Sequence, residues 1–247
     1  MTLAAGNFFL ITCEHGGNRI PPRYRDLFLG HEALLRTHHA RDPGALRIAR
    51  EMADSLAAPL LAAVVSRLVI DLNRSPGHPN LFSIVTRHAP QHVRDEIFQT
   101  CYLPYRLQAQ TLVAEAIAGV ARVIHLSCHS FTSVLDGKER NADVGLLYDP
   151  ARNTEATFCR HWQAGLKARA PALKSRMNFP YRGTADGLTS YLRRRFAAEN
   201  YVGIELEINQ KHVLCDNPYW RTMRRAIIEA LHAAALCLDS SMPREIE

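Results

Sequence analysis

Short apolar segments alternate with longer amphipathic segments along most of this chain. The apolar, β-type segments are residues 8–13, 60–72 (one or two strands), 122–128, 144–148 and 201–208. Segments with helical spacing of apolar residues are 44–58, 89–121 (with a kink expected at Pro104), 153–170, 187–200 and 217–238. Such alternation predicts an α/β protein with a mixed, mostly parallel sheet and helices on both faces.

The chain has 247 residues and no tract rich in glycine, serine or proline that would separate domains. A chain of this length can bury a full hydrophobic core within a single domain. The sequence therefore predicts one domain spanning residues 1–247.

The charge pattern favours a small anionic ligand over a nucleic acid. The net charge is +6, from 30 Lys and Arg against 24 Asp and Glu. The arginines are dispersed, and the densest group, Arg193-Arg194-Arg195, is interpreted as a solvated helix face. Nucleic-acid binders instead cluster their basic residues with aromatic residues between them. We expect no nucleic-acid partner.

The sequence also indicates a protein of the cytoplasm that does not enter a membrane. No apolar run approaches the roughly 20 residues that span a bilayer, and no secretory leader is recognisable. The six cysteines form no C-x-x-C pair and stand mostly in apolar surroundings, as free thiols do. The oligomeric state cannot be read from these features.

Two histidines stand at the ends of predicted strands. His15 follows the first strand in "FFLITCEHGGN", and His129 follows "RVIHLSC". Ligand sites in such sheets lie beyond the carboxyl ends of the strands, and imidazole is a common zinc ligand. Candidates for a third ligand are Glu14, His38, His39 and Asp42, although Asp42 equally well caps the following helix.

The segment "SRLVIDLNR" is rich in polar donors for the end of an apolar strand. Arg67, Asn73 and Arg74 lie within nine residues, and the planar fork of arginine matches a carboxylate. The alternative interpretation is a loop closed by an Asp71–Arg74 ion pair. We expect a binding site for a carboxylate group here.

Two glutamates lie on one face of the last predicted strand. In "GIELEINQ", alternation places Glu205 and Glu207 on the same side. Buried carboxylates are unfavourable unless they are paired or used, so one is expected to act as a general base and the other to pair with an arginine. The alternative is an exposed face of an edge strand.

Six motifs together resemble the N-formylglutamate amidohydrolase family. They are "TCEHGGNRIP", "HHARDPGA", "SRLVIDLNR", "CHSF", "DVGLLYD" and "IELEINQ", and they occur in order between about residues 8 and 220. That family is related to the zinc carboxypeptidases and to the aspartoacylase and succinylglutamate desuccinylase group. The resemblance therefore implies a zinc-carboxypeptidase-like fold.

The resemblance also implies a metal site. By position in the motifs, His15 and His129 match histidine ligands of zinc or another divalent metal. In the relatives, the pattern H-x-x-E supplies a glutamate ligand three residues after the histidine. This chain has Asn18 at that position. The missing carboxylate ligand is expected to be Asp42, with Glu14 as the second choice.

The remaining site residues follow from the same resemblance. Asn73 and Arg74 match a pair that binds the substrate carboxylate, and Arg67 matches an arginine that polarises the scissile carbonyl. Glu207 takes the position of the general base. Arg140 is expected to bind a second carboxylate.

The implied activity is metal-dependent hydrolysis of N-formyl-L-glutamate to formate and L-glutamate, or hydrolysis of another N-acyl derivative of an acidic amino acid. A role in amino-acid catabolism is implied by the family. One alternative is a hydrolase of other N-acyl amino acids or small peptides. An alternative of a different class is a non-catalytic protein that binds anions or nucleic acid.

Overall fold

The computed structural model describes residues 6–119, 121–213 and 218–240, with the side chains of residues 239 and 240 left out. The strands are β1 (Asn7–Cys13), β2 (Leu60–Ala62), β3 (Arg122–Phe131), β4 (Val134–Leu135), β5 (Lys138–Glu139), β6 (Val144–Leu147), β7 (Ser175–Met177) and β8 (Tyr201–Asn209). The α-helices are α1 (Ala45–Leu56), α2 (Gln91–Ile97), α3 (Leu103–Ala118), α4 (Asn153–Arg169), α5 (Leu188–Arg193) and α6 (Pro218–Ser240). Short 3-10 helices span Pro22–Phe28, Leu34–Arg36 and Gln210–His212.

Six of the strands form one mixed sheet in the order β2-β1-β3-β8-β6-β7. Strands β2, β1, β3 and β8 are parallel to one another, whereas β6 runs antiparallel to β8 and parallel to β7. The carboxyl ends of β1, β3 and β8 therefore meet at one edge. Strands β4 and β5 form a separate two-stranded hairpin.

Helices cover both faces of this sheet, as the alternating pattern predicted. In β1, Ile11 and Cys13 face a hydrophobic cluster formed with α1, α4 and α6, whereas Leu10 faces a second cluster formed with α3 and α5. The strands read as nearly continuous apolar runs because both faces are buried. The prediction of an α/β fold with a mixed, mostly parallel sheet is confirmed.

The predicted strand at residues 60–72 is wrong beyond Ala62. Leu68, Val69, Ile70 and Leu72 are apolar and buried but lie in turns and irregular chain. The backbone groups of this segment form hydrogen bonds with loop residues instead of with a neighbouring strand. The Asp71 amide donates to the Leu81 carbonyl, and the Thr86 hydroxyl donates to the Val69 carbonyl. A run of buried apolar residues is therefore satisfied here by loop hydrogen bonds instead of a neighbouring strand.

Several helix boundaries also differ from prediction. The segment 89–121 consists of α2, a π-helical turn over Phe98–Tyr102 and α3, with Pro104 in the first turn of α3, where proline is tolerated. Helix α5 ends at Arg193 instead of residue 200. The predicted start of the last helix, Asn217, lies outside the described residues. Strand β7 and the β4–β5 hairpin were not predicted.

The interpretation of Arg193-Arg194-Arg195 as a solvated face is wrong for Arg193. Its side chain is buried and donates from Nε to the Glu155 carboxylate at 3.0 Å, and its Nη1 donates to the Gly183 carbonyl at 2.6 Å. Two buried charges satisfy one another between α4 and α5. The run of three basic residues concealed this because its members differ in burial.

Two further findings bear on the composition. Within the described parts of the chain, no helix combines the length and hydropathy needed to cross a bilayer. In those parts, Cys13, Cys101, Cys128 and Cys159 are free thiols, and all of them except Cys101 are buried.

Candidate active site

His15, Asp42 and His129 converge at the carboxyl edge of the sheet. His15 follows β1, Asp42 precedes α1, and His129 lies near the end of β3. The Asp42 Oδ2 atom is 3.3 Å from His15 Nδ1 and 3.0 Å from His129 Nδ1. All three side chains are buried, and one potential ligand atom from each lies within 4.8 Å of the others. The arrangement can hold a metal ion.

The side chain of Asp42 does not cap α1. The N-cap residue of α1 is Gly44, and no side-chain hydrogen bond caps the helix. The Asp42 amide instead donates to the His15 carbonyl at 2.9 Å, which ties the loop before α1 to the end of β1. This backbone link leaves the carboxylate directed at the two imidazoles.

Each histidine has a second buried carboxylate at its other ring nitrogen. His15 Nε2 is 2.7 Å from Asp71 Oδ1, and His129 Nε2 is 3.0 Å from Glu14 Oε2. A carboxylate that accepts from Nε2 leaves the Nδ1 lone pair available to a metal and fixes the orientation of the ring. Glu14 therefore lies behind His129, on the side away from Asp42.

Glu14 is itself held in place by hydroxyl groups. Ser127 Oγ donates to Glu14 Oε2 at 2.6 Å, and the Tyr105 hydroxyl donates to Glu14 Oε1 at 3.0 Å. Burial opposes the charge of this carboxyl, but His129 and Ser127 lower its pKa well below the ordinary value. Glu14 thus stays an acceptor for His129.

The electrostatics of the cluster suit a divalent cation. Three buried carboxylates, Glu14, Asp42 and Asp71, lie close together. Despite burial, neighbouring His15, His129 and Arg67 lower the pKa of Asp42. Burial likewise opposes protonation of His129, yet its hydrogen bonds with Asp42 and Glu14 raise its pKa well above the ordinary value. The donor set of two imidazole nitrogens and one carboxylate oxygen is typical of zinc sites. The nearby carboxylates also favour a divalent cation by their negative charge.

Asn18 takes no part in this cluster. Its side chain is exposed, and its Nδ2 donates to the Leu35 carbonyl at 3.0 Å. The two glycines before it are needed for close packing. A Cβ atom at Gly16 would lie 2.8 Å from the Ala63 carbonyl oxygen, and one at Gly17 would collide with the Val64 backbone. The sequence therefore uses glycine here to bring two backbone segments together.

Arg67 joins the cluster from the side. Its Nη1 donates to Asp42 Oδ1 at 3.2 Å and its Nη2 donates to Asp71 Oδ2 at 2.7 Å. Burial opposes its charge, but Asp71 and Asp42 raise its pKa above the ordinary value. The side chain remains 26% exposed, so the guanidinium still faces a ligand that enters the site.

Glu207 lies beside His129 on the neighbouring strand. The two residues are in register between β8 and β3. The Glu207 side chain is buried, and among the described residues its Oε2 has no hydrogen-bond partner. Burial is the main cause that raises its pKa to about 8, to which Asp42 and Glu205 add. A carboxyl with this pKa can gain or lose a proton near neutral pH.

Glu205 has a different environment on the same face of β8. Its Oε1 accepts a hydrogen bond from the Thr189 hydroxyl at 2.6 Å. The predicted pairing with an arginine is not among its contacts in the described residues. Glu205 is therefore held by a neutral partner, whereas Glu207 keeps a free carboxyl oxygen.

A cavity of about 420 Å³ opens beside the cluster. Asp42, Arg67, Asp71, Ser130 and Gln210 line the part that adjoins the cluster. His38 and His39, two of the candidate ligands, also line the cavity, with their rings tilted against one another at 4.1 Å between centroids. Small molecules can thus reach Asp42 and Arg67 from solvent.

Asn73 and Arg74 do not line this cavity. Asn73 Oδ1 accepts from the Leu188 amide at 2.6 Å, and its Nδ2 is 3.4 Å from His129 Nε2. Arg74 Nη1 donates to the Asp186 carbonyl at 2.8 Å, while its buried Nε has no partner among the described residues. Their assignment to a substrate carboxylate stays a prediction.

Arg140 lies at the rim of the cavity. Its Nη1 donates to the Tyr181 hydroxyl at 3.1 Å, and its guanidinium lies over the Tyr181 and Phe131 rings. Both aromatic residues line the cavity. Arg140 thus packs on the aromatic wall of the cavity, and its role in binding a second carboxylate also stays a prediction.

The supporting contacts of the two histidines were missed in the sequence. The Asp71–Arg74 ion pair, given as the alternative for this segment, does not form, because Asp71 accepts from His15 and Arg67. Glu14 was considered a ligand, and its place behind His129 was not foreseen. The available signal was an acidic residue at the end of a buried strand, which needs a partner wherever it occurs.

Fold and site together define an α/β protein with a buried histidine–carboxylate centre beside an open cavity. The sequence profile of the N-formylglutamate amidohydrolase family matches residues 8–214. The chain belongs to the N-formylglutamate amidohydrolase family. A search of the curated proteins found no match.

Two solved structures share this fold, and a third is a more distant match. A gene product of Agrobacterium tumefaciens is 28% identical with a TM-score of 0.78, and the match covers 98% of this chain and 94% of that one. The N-formylglutamate amidohydrolase of Ralstonia eutropha JMP134 is 18% identical with a TM-score of 0.70, covering 98% of each chain. A metallo-carboxypeptidase of Pseudomonas aeruginosa matches more distantly, at 13% identity and a TM-score of 0.41, over 95% of this chain and 58% of that one.

Proposed function

We propose that this protein is a metal-dependent amidohydrolase that cleaves the N-acyl bond of an acidic amino acid, with N-formyl-L-glutamate as a substrate. The observation that carries the proposal is the buried His15, Asp42 and His129 cluster with Glu207 beside it, next to an open cavity. Membership of the N-formylglutamate amidohydrolase family supplies the reaction class.

The three clustered residues would hold the metal. His15 and His129 would each offer Nδ1 and Asp42 would offer Oδ2, because Asp71 and Glu14 occupy the Nε2 sides of the rings. A divalent metal would supply Lewis acidity, which polarises a carbonyl group and makes a water molecule more acidic. Zinc fits the donor set, as do other divalent ions that accept nitrogen and oxygen ligands.

Glu207 would move the protons of the reaction. Its unpartnered Oε2 can accept a proton from the attacking water, and the same carboxyl can then deliver it to the nitrogen of the departing amine. A pKa of about 8 allows both transfers near neutral pH. The water oxygen becomes bonded to the acyl carbon as the C–N bond breaks, which yields a carboxylic acid and a free amino acid.

Arg67 would stabilise the oxygen of the scissile carbonyl. Its guanidinium is oriented by Asp42 and Asp71 and remains partly exposed to the cavity. A fixed donor directed at developing negative charge contributes about 3–4 kcal/mol to transition-state stabilisation. Asn73 and Arg74 would exchange their present hydrogen bonds for hydrogen bonds with the substrate carboxylate. Arg140 would approach a second carboxylate of the substrate from the rim of the cavity.

The test is release of formate from N-formyl-L-glutamate by the zinc-loaded protein. We expect Glu207→Gln to lose activity by a factor of about 10²–10⁴ while zinc remains bound, since a general base contributes on that scale. Glu205→Gln is the matched control, because it makes the same change on the same strand face, and it is expected to keep most of the activity. Equal loss in both variants would contradict the assignment of the base.

A panel of substrates separates the alternatives. Hydrolysis of N-acyl derivatives of neutral amino acids, without hydrolysis of N-formyl-L-glutamate, would move the specificity to another amino acid. Tight RNA or DNA binding at low salt, without any hydrolysis, would favour the non-catalytic alternative.

A further inference from the structure

Ser130 lines the cavity directly beside the candidate centre. It follows His129 in β3 and is in register with Ile208 of β8, so that the sheet holds its backbone. The Ser130 amide donates to Asp42 Oδ2 at 3.4 Å. The residue is only 7% exposed. Because buried polar atoms need hydrogen-bond partners, the partners that Ser130 already has show which of its atoms is left for a ligand.

Gln210 fixes the role of the Ser130 side-chain oxygen. Gln210 Nε2 donates to the Ser130 carbonyl at 3.3 Å and to Ser130 Oγ at 3.2 Å. The carbonyl oxygen can only accept, so the Gln210 amide must turn its nitrogen, and not its oxygen, towards Ser130. Both hydrogens of that nitrogen are then used, and Ser130 Oγ is the acceptor in this contact.

The hydrogen of the Ser130 hydroxyl is left without an acceptor. A serine hydroxyl carries one hydrogen besides its lone pairs, and the contact with Gln210 uses a lone pair. Among the described residues, this hydroxyl makes no other hydrogen bond. Since Ser130 and Gln210 both line the cavity, the hydrogen is available to a ligand that enters it. Ser83 lines the same cavity but differs, because its hydroxyl already donates to the Leu68 carbonyl at 2.5 Å.

The position of Arg67 indicates which ligand atom would accept this hydrogen. Arg67 Nη1 donates to Asp42 Oδ1, and the Ser130 amide donates to Asp42 Oδ2. The guanidinium and Ser130 therefore flank one carboxylate, and both residues line the cavity. The proposed function places the oxygen of the scissile carbonyl at Arg67, and the role of Ser130 rests on that proposal. A carbonyl oxygen has two lone pairs, so it can accept from both donors together.

We propose that the Ser130 hydroxyl binds the formyl carbonyl oxygen of the substrate and stabilises the negative charge that develops there during hydrolysis. Gln210 is a positioning residue, because it holds Ser130 Oγ as an acceptor and thereby directs the hydroxyl hydrogen into the cavity. Ser130 keeps its proton and forms no covalent bond in the reaction.

The kinetics of Ser130→Ala test this contact. We expect kcat for N-formyl-L-glutamate to fall about 10²-fold, as on removal of one donor to a developing oxyanion, while zinc affinity measured by competition with a chelator stays unchanged. Ser130→Thr keeps a hydroxyl and should recover most of the activity. Ser83→Ala is the matched control, because it makes the same change in a hydroxyl that already donates to Leu68, and it should keep the natural kcat. Equal kcat values for the two alanine variants, or a loss explained by weaker zinc binding, would overturn the proposal.

A double-mutant cycle tests the role of Gln210. Gln210→Met removes the amide and keeps the length of the side chain. It should lower kcat about three- to tenfold when Ser130 is present and less than about twofold in the Ser130→Ala background, because both residues act through one contact. Equal losses in the two backgrounds would show that Gln210 does not act through Ser130.

Binding without turnover separates this contact from the proposed reaction. Calorimetry on the zinc-loaded Glu207→Gln protein compares N-formyl-L-glutamate with glutarate, which has two carboxylates but no formamido group. Adding Ser130→Ala should weaken binding of N-formyl-L-glutamate about 2–10-fold, as on loss of one hydrogen bond, and should leave glutarate binding unchanged. This result, together with no hydrolysis by the natural protein, would contradict the proposed function and keep the Ser130 contact. Absent binding of N-formyl-L-glutamate, or equal weakening of both ligands, would overturn the contact itself.

Discussion

Replacing Glu207 by glutamine is expected to abolish hydrolysis and to stabilise the metal-free protein. The two effects have one cause: the Glu207 carboxyl is buried, and its Oε2 has no partner among the described residues. Burial raises its pKa from 4.5 to about 8. The charged form that a general base needs is the form that the fold disfavours, as is common at functional sites.

The size of the stabilising effect depends on pH. A carboxyl with a raised pKa in the folded state binds its proton more tightly there than in the unfolded chain. Its contribution to the free energy of unfolding is therefore fully present below pH 4.5 and is lost as the pH rises towards 8. The two pKa values give a loss of about 1 kcal/mol at pH 5 and about 3 kcal/mol at pH 7.

Glutamine cannot ionise, so Glu207→Gln removes this loss. The stability advantage of the variant over the natural protein should widen by about 2 kcal/mol between pH 5 and pH 7. Urea unfolding of chelator-treated protein, followed by circular dichroism at several pH values, measures the difference. Glu205→Gln is the matched control, since it makes the same change on the same strand face in a side chain that accepts a hydrogen bond from the Thr189 hydroxyl. A constant difference for Glu207→Gln across this pH range would refute the description of Glu207 as a desolvated carboxyl.

Three further substitutions test the supporting structure. Asp71→Asn weakens the hydrogen bond that orients His15 at Nε2, so zinc affinity, measured by competition with a chelator, should fall about 10–100-fold. Unchanged affinity would exclude a role for Asp71 in orienting His15. Arg193→Leu leaves the buried Glu155 without its ion-pair partner, so urea unfolding should show a loss of about 3–5 kcal/mol, and a loss below 1 kcal/mol would mean that the pair is solvated. Gly17→Ala places a methyl group against the facing backbone and should destabilise by about 1–3 kcal/mol in the same assay, whereas a neutral effect would show that the two segments separate easily.

The sheet was largely predictable because its strands are marked by both composition and position. Strands β1, β3 and β8 are apolar, end in polar residues and are separated by helical segments, so their shared carboxyl edge followed from the alternation alone. The segment 60–72 has the same composition but lies mostly in turns. Its loop hydrogen bonds come from residues such as Leu81 and Thr86, a pairing that no local pattern encodes.

The candidate site was predictable to a similar extent. The convergence of His15, Asp42 and His129 was expected from strand ends and from the family resemblance, and the structure brings these three together. The partners at the far side of each ring were not predictable, because Glu14 and Asp71 reach the histidines only through tertiary packing. The cytoplasmic location and the absence of a nucleic-acid partner stay predictions.

The most direct test of the central claim is formate release from N-formyl-L-glutamate by three samples: zinc-loaded protein, the same protein after chelation, and zinc-treated Asp42→Asn. We expect release by the first sample only, with recovery when zinc is returned to the chelated protein. Undiminished release after chelation, or release by Asp42→Asn at the natural rate, would contradict a reaction that depends on a metal held by His15, Asp42 and His129.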